Sequence, residues 1–101
     1  MEKMTLFVKY FCRPGVREQF VRELEDSGVA DKVRAEDGCL CYRYYYPAAE
    51  ENTVLLLEQW VSPRHQQEHM TRPHMEQLRE IKHRYVADTV LGEDALLGEK
   101  C

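Results

Sequence analysis

The sequence predicts an α+β domain in which strand, helix, strand, strand, helix and strand follow one another. Three observations carry this. Residues 4–12 and 53–60 are apolar on both sides, as strands inside a covered sheet are. Val16 to Leu24 and Met75 to Tyr85 repeat apolar residues at helical spacing. Turn signals at Arg13-Pro14-Gly15, Glu36-Asp37-Gly38 and Ser62-Pro63 separate these runs.

Met4 to Cys12 is the first strand, with Leu6, Val8, Tyr10 and Cys12 alternating with Thr5, Phe7, Lys9 and Phe11. Val16, Phe20, Val21 and Leu24 then mark a helix that Gly28 interrupts, and a further turn or two runs through Val29 and Val33. Cys39 to Tyr46 is rich in aromatic residues and reads as the second strand, ended by Pro47. Thr53 to Trp60 is the third, because Val54-Leu55-Leu56-Leu57 is apolar without alternation. Ser62 is an N-cap with Pro63 at the first helical position, so Arg64 to Met70 is a short helix. Thr71-Arg72-Pro73 repeats the device ahead of a helix with Met75, Leu78, Ile81, Lys82 and Tyr85 on one side. Ala87 to Leu91 is assigned as a fourth strand, and 92–101 as a C-terminal tail or arm.

This order is the split arrangement of a ferredoxin-like βαββαβ sheet. Two helical segments cover one face of four strands, so the apolar second face has to leave water in another way. A second copy of the chain is the simplest cover, and a homodimer with facing sheets is expected.

With 101 residues, 44% hydrophobic and 32% charged, the chain is one globular domain rather than a disordered one. Its formal charge of −4 argues against nucleic acid and anionic membranes as partners and leaves a small-molecule substrate open. The start Met-Glu-Lys-Met-Thr lacks the features of a signal peptide, so a cytoplasmic location is expected. Cys12, Cys39, Cys41 and Cys101 form no metal or redox motif and are read as thiols.

His65, His69 and His74 fall within ten residues. Histidine exchanges protons near neutrality, which makes this cluster the first place to look for chemistry. His65 and His69, four apart, share a helical face and have ligand spacing, yet no third ligand accompanies them in sequence, so no metal is expected. Tyr42, Tyr44 and Tyr46 alternate onto one face of their strand and Arg43 and Tyr45 onto the other. One set lines a cavity or a dimer seam, where aromatic rings suit a flat apolar substrate. Lys9 and Arg43 interrupt apolar strands and are expected to be exposed at sheet edges.

The segments Arg13-Pro14-Gly15-Val16-Arg17-Glu18-Gln19-Phe20, Glu36-Asp37-Gly38-Cys39-Leu40-Cys41-Tyr42, Leu57-Glu58-Gln59-Trp60 and His69-Met70-Thr71-Arg72-Pro73-His74-Met75, in this order, resemble the antibiotic biosynthesis monooxygenase (ABM) family. The resemblance spans residues 4 to about 91 and implies a dimeric α+β barrel of ferredoxin-like subunits. It implies one of several activities: cofactor-independent oxygenation of quinols, anthrones or aromatic polyketides, haem degradation, or isomerisation of a phosphorylated sugar. The haem-degrading branch is typified by an asparagine on the first strand and a tryptophan where His69 falls. This chain has no asparagine before Asn52, and its single tryptophan is Trp60.

By the same resemblance His69 is the catalytic acid or base, and neither remaining branch needs a cofactor. His65 assists from the same helical face, Arg72 holds an anion at a helix N-terminus, and His74 sits at the helix junction. Trp60 matches the family's Glu-x-Trp. With Tyr42 and Tyr44 these form the candidate substrate-contacting set. The ordinary readings stand beside them: Trp60 as a core anchor, Arg72 as a solvated cation, the tyrosines as packing. An oxygenase of hydroxylated aromatics leads, followed by a phosphosugar isomerase or tautomerase, and then a non-catalytic ligand-binding dimer.

Overall fold

The computed structural model describes residues 2–92. Eight elements follow in the chain: β1 (Met4–Cys12), α1 (Arg17–Asp26), α2 (Val29–Arg34), β2 (Cys39–Tyr45), β3 (Thr53–Trp60), α3 (Pro63–His69), α4 (His74–Tyr85) and β4 (Val86–Gly92). The four strands form one antiparallel sheet in the order β2-β3-β1-β4. That is the ferredoxin-like topology, with β1 and β3 at the centre where their doubly apolar sequences belong.

The side chains of one face point at the helices. Leu6, Val8 and Tyr10 lie opposite Glu58, Leu56 and Val54, and Tyr42 lies opposite Glu58. Onto this face α1, α2 and α4 lay Phe20, Leu24, Val29, Val33, Leu78 and Ile81, all buried. Burying a side chain of this kind contributes about 1.5–3 kcal/mol, so this layer dominates stability. Phe20 meets Tyr10 edge-on, ring centres 5.4 Å apart. Gly28, at φ 85°, makes the left-handed turn that separates α1 from α2.

The chain departs from the expected strands in four places. First, Cys39 pairs with Trp60 and Cys41 with Gln59, so β2 carries an extra residue, Leu40, in a β-bulge. Cys39 and Cys41 are therefore not two ordinary same-face strand neighbours, and with Cys12 they are free thiols; Cys101 lies outside the described residues. Second, β2 ends at Tyr45, and Tyr46 lies beneath the Arg17 guanidinium, 4.4 Å from ring centre to charge. Third, Lys9 is on a central strand and buried, with Nζ 3.2 Å from a Glu50 carboxylate oxygen, whereas an exposed sheet edge was expected. Arg43 is exposed, on the edge strand β2. Fourth, Gly92 closes β4 instead of opening the tail, whose remaining residues lie outside the described ones.

The second face of the sheet carries Phe7, Phe11, Leu55, Leu57 and Tyr45 around Lys9, and these five apolar and aromatic side chains are half-buried or exposed among the described residues. Among the described residues no helix is long and apolar enough to cross a membrane.

Candidate active site

The short helix α3 fixes the site. Pro63 opens it with φ preset for a helix, and Ser62 caps it: the Ser62 Oγ accepts from the His65 backbone N–H and lies 2.7 Å from His65 Nδ1. The His65 ring is thereby held at the helix start, against Gly38, with Nε2 3.4 Å from Asp37. It does not line the cavity described below, so it serves the cap rather than assisting His69.

One turn on, His69 is 1% exposed. Its Nδ1 lies 2.8 Å from Glu36 Oε2, its ring stacks on Trp60 with centres 4.7 Å apart, and Tyr42 meets it edge-on. Glu36 belongs to the loop between α2 and β2, where its backbone bonds to Val33 and Cys39 hold the turn. The same Oε2 lies 2.6 Å from His74 Nε2, at the first position of α4. Arg72 approaches the other oxygen, Oε1, at 3.7 Å. Arg72 thus stands beside an internal carboxylate without a hydrogen bond to it and stays 39% exposed, where a helix-terminal anion site was expected.

A buried carboxylate facing two imidazoles accepts an N–H from each. With Nδ1 of His69 donating to Glu36, Nε2 is the nitrogen left with a lone pair, so Glu36 sets the tautomer. The Glu36, His69 and His74 ligand atoms also lie within 4.8 Å of one another, and two histidines with a carboxylate form a set that first-row metals accept. The expectation of no metal set rested on His65 and His69; the grouping that forms is His69 with His74 and Glu36. At 2.6 and 2.8 Å its atoms are spaced as hydrogen-bond partners.

His69 lines a cavity of about 200 Å³ between the sheet and the helices. Leu6, Val8, Tyr10, Tyr42 and Glu58 form its sheet side, and Met75, Leu78 and Lys82 its α4 side. Met70 and Leu91, both exposed, reach into it from α3 and β4. Glu58 accepts from Trp60 Nε1 at 3.0 Å, and burial pushes its carboxyl above the usual range, partly offset by that bond and by nearby His69. Burial also raises the Tyr10 and Tyr42 phenols well above their ordinary value, so these two lining residues stay protonated and are not bases.

Of the substrate-contacting residues expected from sequence, Tyr42 alone joins His69 on the cavity wall. Trp60 is fully buried beneath His69, and Tyr44 packs edge-on against Tyr42, outside the lining. His74, Arg72 and His65 turn to Glu36, Glu36 and Ser62. The sequence reading gave no role to Glu36, or to Glu58 and Tyr10 as cavity groups. Glu58 had a signal, a carboxylate at an inward position of an apolar strand; Lys82 had one too, a charge inside the apolar stripe of α4.

Comparison with the curated proteins gives no match. Among solved structures, Rv0793 from Mycobacterium tuberculosis superposes with a TM-score of 0.75 at 25% identity, over 90% of this chain and 91% of that one. PA3566 from Pseudomonas aeruginosa gives 0.77 at 22% identity, over 91% of each chain. A structure described as an antibiotic biosynthesis monooxygenase gives 0.74 at 15%, over 90% and 94%. The sequence profile of that family matches residues 4–81, from β1 into α4, and so takes in both central strands and the whole Glu36–His69–His74 grouping. By that match the chain belongs to the antibiotic biosynthesis monooxygenase family.

Proposed function

We propose that the protein is a cofactor-independent monooxygenase of a small hydroxylated aromatic compound, a quinol, an anthrone or a relative, with His69 as the general base. The observation that carries the reading is the Glu36–His69 pair: a carboxylate 2.8 Å from Nδ1 of a histidine that lines an aromatic, largely apolar cavity. A base needs its proton-accepting nitrogen fixed and its conjugate acid stabilised, and a buried carboxylate does both.

In this mechanism His69 takes the hydroxyl proton and leaves an electron-rich ring anion. The substrate supplies the electrons, and dioxygen bonds to the activated ring carbon, forming a hydroperoxide. Loss of the hydrogen on that carbon with cleavage of the O–O bond releases water and leaves a carbonyl. One oxygen atom stays in the product and the other leaves as water. Tyr10 and Tyr42 donate hydrogen bonds to the developing oxyanion, and Glu58 is a second proton carrier on the wall. The apolar lining excludes the water that would otherwise quench the anion. The two subunits of a homodimer would each carry such a cavity.

The isomerase reading assigns a phosphate to Arg72, which does not line the cavity, and the Leu6, Val8, Met75 and Leu78 walls give the hydroxyls of a sugar no partners. Oxygen uptake by purified protein over a panel of quinols and anthrones tests the proposal. Wild type consumes oxygen with at least one of them, His69→Ala abolishes it, and Glu36→Gln lowers kcat by about 10²-fold or more through loss of the fixed tautomer. Chelation leaves the rate unchanged. Absence of uptake with every member, together with tight binding of a sugar phosphate, overturns it.

A further inference from the structure

The proton-transfer scheme leaves two ionisable groups of the cavity unused, Arg79, which pairs with Glu76 at 3.1 Å, and Lys82. Lys82 is half-buried, with Nζ 5.2 Å from the centre of the Tyr10 ring, and it lines the cavity from α4. The other cations drawn into this fold have carboxylate partners: Lys9 with Glu50 at 3.2 Å, Arg34 with Glu25 at 2.7 Å, Arg72 with Glu36 at 3.7 Å. Among the described residues Lys82 has no ion pair, and burial and Arg79 both draw its ammonium below the ordinary range. Taking an ammonium partly out of water without a partner is costly, and a ring face returns only part of that cost.

The charge is also well placed for a ligand. Met75, Leu78 and Lys82 form one stripe of α4, so Lys82 stands about 10 Å along the helix from Met75 at 1.5 Å rise per residue. Met75 follows His74, which shares Glu36 with His69. The cavity therefore has a basic nitrogen toward one end, a cation toward the other, and Leu6, Val8, Tyr10 and Tyr42 on the floor between. Its volume of about 200 Å³ falls below the range of about 300–1,000 Å³ typical of drug-sized ligands.

We propose that Lys82 anchors an acidic substituent of the substrate, which makes that substrate an aromatic acid of one or two fused rings whose carboxylate lies at the far end from the carbon that reacts. The inference rests on the reading of the cavity as an aromatic site. An acid on a flat ring matches the apolar floor, whereas the hydroxyls of a sugar phosphate would be left unpaired against Leu6 and Val8.

Binding measured by calorimetry without oxygen separates this from the chemistry. The probes are 1,4-dihydroxynaphthalene, 5,8-dihydroxy-2-naphthoate and ribose 5-phosphate, against wild type, Lys82→Gln and Lys82→Arg. The naphthoate binds wild type about tenfold or more tightly than the uncharged quinol. That advantage shrinks as salt is raised, disappears in Lys82→Gln and survives in Lys82→Arg, whose retained binding also shows an intact fold. Equal affinities for the two naphthalene compounds in wild type, or an undiminished advantage in Lys82→Gln, overturns the anchor. Tight ribose 5-phosphate binding with neither naphthalene bound overturns the aromatic-acid assignment. If the naphthoate binds through Lys82 and no oxygen is consumed on admitting air, the anchor stands and the oxygenase reading falls.

Discussion

His69 draws its chemical character from a residue 33 positions away. A histidine cluster is legible in sequence because imidazole titrates near neutrality, but the carboxylate that fixes one of its nitrogens leaves no periodic or spacing signal. Glu36 read as part of a turn because Asp37-Gly38 follows it, and that reading is correct for its backbone. Only the folded chain brings its side chain to His69, His74 and Arg72. Glu58 illustrates the opposite case, a charge conspicuous in an apolar strand. Burial raises its carboxyl above the ordinary 4.5. Between 4.5 and the raised value the folded state holds the proton more firmly than the unfolded one, so stability falls as pH rises through that window. Glu58→Gln removes the cost of ionising there. Denaturation at pH 8 and pH 4 should find the variant more stable than wild type at pH 8, with the difference fading toward pH 4.

At the scale of elements, the turn after α2 and the start of α3 depend on each other. Gly38 has φ 84°, and a Cβ there would come within 2.3 Å of the His65 ring. Gly38→Ala therefore meets both backbone strain and a clash, and should cost about 1–3 kcal/mol in urea denaturation. It should also lower activity, since the same turn presents Glu36. An unchanged midpoint would show that the turn and the helix start are independent. The sequence placed β1 and β3 at their observed bounds because each is apolar on both sides and bounded by breakers. It misplaced the end of β2 and passed over its bulge, because one extra residue, Leu40, changes pairing without changing composition. Tyr46 consequently leaves the set to which simple alternation had assigned it.

For the whole molecule, association is decided at the half-exposed second face of the sheet. Phe7, Phe11, Leu55 and Leu57 lie on it, flanked by Tyr45 and Val90, which are 45% and 44% exposed. An apolar face of this kind is typical of an association surface, and we expect a homodimer with the two sheets facing. Sedimentation should give twice the 12.0 kDa mass for wild type and the single mass for Leu57→Lys, which places a charge amid that face. A monomeric wild type would rule out the sheet-to-sheet arrangement. The helical side of the sheet was legible as a core from its 3.6-residue spacing. A cavity was expected there as well, but its lining was not legible: of Tyr42, Tyr44 and Tyr46 only Tyr42 reaches it, beside Tyr10, Glu58 and Lys82 from other elements.

Trp60, fully buried under the His69 ring, is the single tryptophan of the chain. Its emission consequently comes from one place, in van der Waals reach of the imidazole assigned as base. A protonated imidazole accepts an electron from excited indole more readily than a neutral one, so the fluorescence acts as an optical gauge of the charge on His69. A ligand that gives a proton to His69 should dim the emission, and His69→Gln should abolish that change, so the protein carries its own readout of proton transfer without any added label.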